Sequence, residues 1–200
     1  MEIVKLGLAE MQALYEARMK EDFPPSELRP WSSMRTLTEQ GSYLCFGFQE
    51  GGRILAYAAF ARCPGAALLD YYAVDSALRG RGIGQKFLRG LRRFSQELDA
   101  PFVLVEVESV ESARTQEEAE TRRRRIRFYE RCGCRPSGVY AYLFGVDYQI
   151  LYLPFQEGTV TDSQVRRSLE QVYRMTVGLL VGEDRQRFAQ VCQVYAGPRA

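Results

Sequence analysis

The 200-residue chain contains no histidine. That absence excludes imidazole as general base, nucleophile partner or metal ligand, and with it Ser-His and Cys-His catalysis and every His-ligated metal site. Cysteine is scarce as well. Cys45, Cys63, Cys132, Cys134 and Cys192 form an odd set without disulfide-framework spacing, and the single residue between Cys132 and Cys134 is not the gap of a zinc half-site. They read as reduced thiols, and no metal site is expected. No run approaches the ~20 apolar residues that a membrane-spanning helix needs. Met1-Glu2-Ile3-Val4-Lys5 lacks the basic start and apolar stretch of a signal peptide. Excess charge is missing too: 27 Lys and Arg stand against 25 Asp and Glu, a net charge of +2. That balance gives no electrostatic ground for a nucleic-acid or membrane partner. The expectation is a cytoplasmic protein.

What is present is ordinary for a globular chain: 46% apolar and 26% charged residues rule out a disordered or collagen-like polymer. Two hundred residues make one large domain or a domain with an appendage. Residues 3–6 read as a strand, and residues 8–19 as a helix with Met11, Leu14, Tyr15 and Met19 on one face. Phe23-Pro24-Pro25 ends that helix, and Ser32 is a candidate cap for a second one stopping before Gly41. Strands over 43–49 and 53–61 flank the hairpin turn Glu50-Gly51-Gly52. A strand over 67–74, a helix carrying Ile83, Phe87, Leu88, Leu91, Phe94 and Leu98, and an apolar strand over 102–107 suggest a parallel crossover. The charged stretch 108–125 leads to a short helix at 126–131, closed by Gly133. Strands near 139–144 and 148–153 follow, and from Thr161 the pattern is helical, with a last helix over 183–194.

The most informative segment lies between Val74 and Phe87. Arg79-Gly80-Arg81-Gly82-Ile83-Gly84 joins a strand to a helix, where glycines admit close backbone approach and first-turn amides point at an anion. A phosphate or pyrophosphate is the natural occupant. The Walker pattern fails, since Gln85-Lys86-Phe87 follows Gly84, and the dinucleotide fingerprint fails at its sixth position, which is Gln85.

Arg79-x-x-Gly82-x-Gly84 resembles the signature of the GNAT superfamily of acyl-CoA N-acyltransferases. The lead-in Leu69-Asp70-Tyr71-Tyr72-Ala73-Val74-Asp75 is similar to that family's central strand. Phe128-Tyr129-Glu130-Arg131-Cys132-Gly133-Cys134 is similar to its Leu-Tyr-x-x-x-Gly-Phe motif. The resemblance implies an α/β fold: a mixed, mostly antiparallel twisted sheet with one central parallel pair splayed around the cofactor, helices on both faces and extra C-terminal helices. It implies a GNAT-like domain over 1–158, with a C-terminal helical extension over 159–200 packed on it. It further implies an N-acetyltransferase that moves the acetyl group of acetyl-CoA to a primary amine by direct attack. The acceptor would be a small molecule or a protein lysine.

By that resemblance Arg79, Gly80, Arg81, Gly82, Ile83, Gly84 and Gln85 would hold the coenzyme A pyrophosphate. The backbone of Tyr72, Ala73 and Val74 would pair with the pantetheine arm as an added strand does, and an amide near Ala73 or Val74 would polarise the thioester carbonyl. Tyr129 matches the tyrosine that protonates the departing thiolate. A phenol near ~10 and a thiol near ~8.5 differ by only about 1.5 units. With no histidine, the base that deprotonates the amine falls to Glu106, then Asp70, then Glu108. Glu106 and Glu108 interrupt an apolar strand, where a carboxylate must be paired or line a cavity; an exposed strand end is the alternative. Period-two alternation puts Asp70 on the face of Tyr72 and Val74.

The family's asparagine and alanine before the tyrosine are replaced by Arg122 and Arg125, and its closing aromatic by Cys134. The run Arg122 to Arg125 reads as a solvated helix face or as a set of cofactor-phosphate contacts. The C-terminal helices are open to covering the sheet, making a homodimer contact or closing over the cleft. A non-catalytic acyl-CoA-binding or sensing module stands as the alternative function.

Overall fold

Turn and cap chemistry fixes the order of elements, and the computed structural model describes residues 1–198 of them. Strand β1 (Glu2–Leu6) leads into α1 (Leu8–Leu14), which widens into a π-helical turn over Tyr15–Met19 and ends as α2 (Lys20–Asp22) before Pro24 and Pro25. Helix α3 (Trp31–Glu39) starts one residue ahead of the expected Ser32 cap, with Pro30 at the N-cap and no side-chain cap bond. Gly51 and Gly52, at φ +56° and +80°, close the hairpin of β2 (Tyr43–Glu50) and β3 (Arg53–Cys63). After β4 (Ala66–Val74) the chain crosses through α4 (Ile83–Gly90), a 3-10 turn at Leu91–Phe94 and α5 (Ser95–Leu98) into β5 (Phe102–Glu108).

Helix α6 spans Gln116–Arg131, so it starts ten residues before the expected helix. Thr115 accepts from the Glu118 amide while Glu118 accepts from the Arg114 amide, two bonds that satisfy free amides at its start. Strands β6 (Arg135–Leu143) and β7 (Val146–Pro154) precede α7 (Asp162–Thr176), α8 (Gly178–Val181) and α9 (Arg185–Val191). The last segment departs from expectation: α9 stops at Val191, and Cys192–Ala196 is a strand, β8. The region after residue 158 is therefore not wholly helical.

The eight strands form one sheet in the order β1-β2-β3-β4-β5-β7-β6-β8. Among the described residues only β4 and β5 run parallel; every other neighbouring pair is antiparallel. One face packs on α1, α3 and α7 through Met11, Met34, Leu37, Val165, Leu169 and Val172. The other packs on α4, α5 and α6 through Phe87, Leu88, Leu98 and Tyr129. Cover on both faces explains the near-continuous apolar runs of β2 and β3, which do not alternate.

Candidate active site

Parallel pairing of β4 with β5 is short: Ala67 faces Val103, Leu68 faces Leu104 and Leu69 faces Val105. It stops at Asp70 for a local reason. Against β3, Leu69 faces Phe60 and Tyr71 faces Ala59, so Asp70 is an extra residue with no partner. Such a bulge bends its strand. Strand β5 meanwhile stays paired with β7 as far as Glu108–Tyr148. The two strands therefore part, and the facing edges of 70–74 and 106–108 keep backbone N–H and C=O groups without ladder partners, a template for an added extended chain.

The bulge also corrects the expected side-chain direction of Asp70. Tyr72 and Val74 pack with the α4–α6 side, whereas Asp70 accepts from the Tyr43 hydroxyl at 2.6 Å, and Tyr43 belongs to the opposite core. One inserted residue moves every later side chain to the other face. Asp70 is thus not beside Tyr72 and Val74.

At the open end of β4, Asp75 accepts from the Ala77 amide at 3.0 Å and is bridged by Arg53 at 2.6 Å, which holds its carboxyl below the usual range. The turn that follows is exposed. Gly80 and Gly82 sit at φ +78° and +76° with open space where a Cβ would stand. The α4 ladder begins with the Lys86 amide on the Gly82 carbonyl at 3.0 Å, leaving the amides of Ile83, Gly84 and Gln85 for a ligand or solvent. Arg79 donates Nε to the Val74 carbonyl at 3.3 Å, and neither Arg79 nor Arg81 has a carboxylate partner among the described residues. Gly84 serves packing instead. A Cβ there would lie 3.2 Å from Val74 Cγ2 and 3.3 Å from both the Phe128 ring and the Tyr72 hydroxyl, which itself donates to the Gly84 carbonyl at 2.6 Å. Ala73 is buried in the strand between them.

Tyr129, on α6, is buried, with its ring centroid 6.5 Å from that of Tyr72. Burial pushes its phenol above the ordinary value, Arg125 partly opposing. Its hydroxyl has no hydrogen-bond partner among the described residues.

The three carboxylates differ in their company. Glu108 is bridged by Arg122 at 3.2 Å and Arg125 at 3.0 Å, both from α6. Two arginines turn it onto the helix, so it is a structural anchor. Arg122 also donates to the Ser109 carbonyl at 2.6 Å. The arginine run is therefore neither a purely solvated face nor free for phosphate: two of its four members are committed to Glu108. Asp70 is bridged by Arg29 Nε at 3.3 Å. Glu106 makes no ion pair among the described residues. It accepts a hydrogen bond at Oε1 from the Tyr173 hydroxyl of α7. Burial pushes its carboxyl up to about 7 from 4.5; the Tyr173 bond and the Arg29 charge oppose this, and the Asp70 charge adds to it. Arg29 and Tyr173 are the contributors that sequence reading missed, because each reaches the site through a contact distant in sequence.

Two surface clefts, about 480 Å³ and 400 Å³, lie elsewhere, around Arg92, Glu130 and Gly133. Pro154, which lines the larger, pairs with Phe102 at the start of β5, while the strands part at its end.

A glycine-rich turn at a helix start, beside a parallel strand pair that parts around a bulge, carries the family comparison. The profile of the acetyltransferase (GNAT) family matches residues 8–134. The chain belongs to that family. Solved structures agree on the fold. A GNAT-family protein from Bacteroides thetaiotaomicron superposes with a TM-score of 0.66 at 20% identity, over 88% of this chain and 98% of its own. The yncA protein of Salmonella typhimurium, solved with its cofactor acetyl-CoA, gives 0.56 at 16% identity over 82% and 98%. The ribosomal-protein-S18-alanine N-acetyltransferase of Escherichia coli gives 0.54 at 20% identity over 79% and 96%. No curated protein sequence matches this chain. Among the described residues of this GNAT chain, no helix is long and apolar enough to cross a membrane and no side-chain group is arranged for a metal ion.

Proposed function

We propose that the protein transfers the acetyl group of acetyl-CoA to a primary amine. The observation that carries this reading is the opening between β4 and β5: unpaired strand edges, a glycine turn with free amides at one end, and beside them a half-buried carboxylate, Glu106, without an ion pair among the described residues. Those features fit an extended, diphosphate-bearing thioester. The amides of Ile83, Gly84 and Gln85, with the flexible backbone of Gly80 and Gly82 and the charges of Arg79 and Arg81, suit the pyrophosphate. The free edge of Tyr72, Ala73 and Val74 suits the amide-bearing pantetheine arm. Acetyl-CoA supplies the activated acyl group; the chain supplies position and proton transfer.

Glu106 is the base in this reading. An alkyl ammonium titrates near ~10.4, so a carboxyl held at about 7 narrows the proton-transfer gap from about 6 units to about 3.5. Asp70 is occupied by Arg29 and Tyr43, and Glu108 by two arginines, which leaves Glu106 as the carboxylate able to take a proton from the incoming amine. Tyr129 is the donor to the departing thiolate, since its buried phenol stays protonated.

The test is calorimetry with acetyl-CoA followed by turnover on a panel of primary amines, from polyamines to lysine peptides. Binding with turnover on at least one amine is expected. Binding with no turnover on any would favour an acyl-CoA sensor, and no binding would remove the reading.

A further inference from the structure

The family profile ends at residue 134, yet the carboxylate assigned above as base is held from beyond it. We propose that Tyr173 of the C-terminal helix α7 is a positioning residue for Glu106, so that the segment after the family domain completes the active site. This rests on the function proposed above.

Tyr173 is 1% exposed and sits on the helix face whose Val165, Leu169 and Val172 are buried against the sheet. The spacing from Leu169 to Tyr173 is one helical turn, so the residues that dock α7 also fix where the phenol stands. Its hydroxyl donates to Glu106 Oε1, which leaves Oε2 for the amine. The groups facing Glu106 come from four elements and the loop before α3. Asp70 on β4 and Arg29 ahead of α3 oppose each other in charge; Tyr148 on β7, Cys192 on β8 and Tyr173 on α7 are neutral, burial pushing each of their protons on more firmly. Of these, only Tyr173 makes a hydrogen bond to Glu106 among the described residues. Helix α7 also ties down the neighbouring charge, because Arg29 Nη1 donates to the carbonyl of Thr176, its last residue, at 3.1 Å while Nε holds Asp70. One helix thus orients the carboxylate that takes the proton and anchors the cation that keeps the other carboxylate occupied. During turnover Tyr173 keeps its own proton; the amine's proton passes to Glu106.

A donated hydrogen bond favours the charged carboxylate. Tyr173→Phe should therefore move the titration of Glu106 upward by about one pH unit while leaving the ring packing in place. The experiment uses the full chain labelled with 13C at glutamate carboxyls, without acceptor, and Glu106→Gln to assign the resonance. The inference predicts a native titration near 7 that rises in Tyr173→Phe, matched by the same rise in the acid limb of kcat/KM on the best amine of the panel. An unchanged titration in a folded Tyr173→Phe protein would overturn it. Should that variant not fold, the native chain is read directly. A downfield hydroxyl proton that disappears in Glu106→Gln supports the contact, and its absence from the native chain refutes it. Failure of the proposed function reads differently, as a Glu106 titration that responds to Tyr173 in a protein that turns over no amine.

Discussion

Residue-scale energetics centre on Glu106. Its carboxyl is raised from 4.5 to about 7 because burial penalises the charged form more than the Tyr173 bond relieves it. Ionising it therefore costs more in the folded chain than in the unfolded one. The cost is absent below about 4.5, grows as pH rises, and is complete above about 7. Glu106→Gln should stabilise the protein by about 2–3 kcal/mol at pH 8 and by little at pH 4, read from urea unfolding at both values. The same substitution should abolish the rise of kcat/KM through pH 7. Tyr129 makes the complementary case, for burial keeps its proton on. Tyr129→Phe should lower kcat about 100-fold with a small change in KM for acetyl-CoA, measured by steady-state kinetics. An unaltered kcat would remove it as donor. The sequence ranks Glu106 ahead of Asp70 and Glu108 but does not show what sets it apart, since all three are acids in or beside apolar strands. What separates them is the arginine each one meets, and Arg29 lies 41 residues from Asp70.

Elements were legible where local chemistry writes them. The hairpin, the crossover from β4 to β5 and the glycine turn follow from Gly51-Gly52, from strand–helix–strand periodicity and from Gly80 to Gly84. Three features were not read. The bulge at Asp70 hides inside a regular-looking Leu68-Asp70-Tyr72 alternation, because one extra residue changes pairing and not composition. The early start of α6 was signalled by Thr115-x-x-Glu118, a capping pattern masked by the charge run behind it. Strand β8 is five residues long and takes its state from pairing with β6, which its own sequence does not encode. Helix α7 is the element on which the site and the core both depend. Leu169 is fully buried on it, so Leu169→Ala should cost about 3 kcal/mol and loosen the hold on Glu106 together. Thermal unfolding reads the first effect, and the Glu106 titration drifting away from 7 reads the second.

Across the whole molecule, the sheet divides the labour between its two faces. The α4–α6 side holds the glycine turn and Tyr129; the α1–α3–α7 side holds Asp70 and Glu106. The parting of β4 from β5 joins the two faces at one point, where, in the proposed reaction, a donor laid along the open edges would meet an amine from the acidic side. The claim on which all else rests is that the turn and those edges hold the thioester. Gly82 tests it most directly: its φ of +76° disfavours a β-branched residue while the space around it is empty, so a side chain there strains the turn without touching the core. Calorimetric titration of acetyl-CoA into the native chain and into Gly82→Val, with Tm recorded for both, is the decisive measurement. The expected result is one site per native chain and at least tenfold weaker binding in the variant, with Tm lowered by no more than about 8 °C. Equal affinity in the two proteins, or no heat from the native chain, would contradict the account.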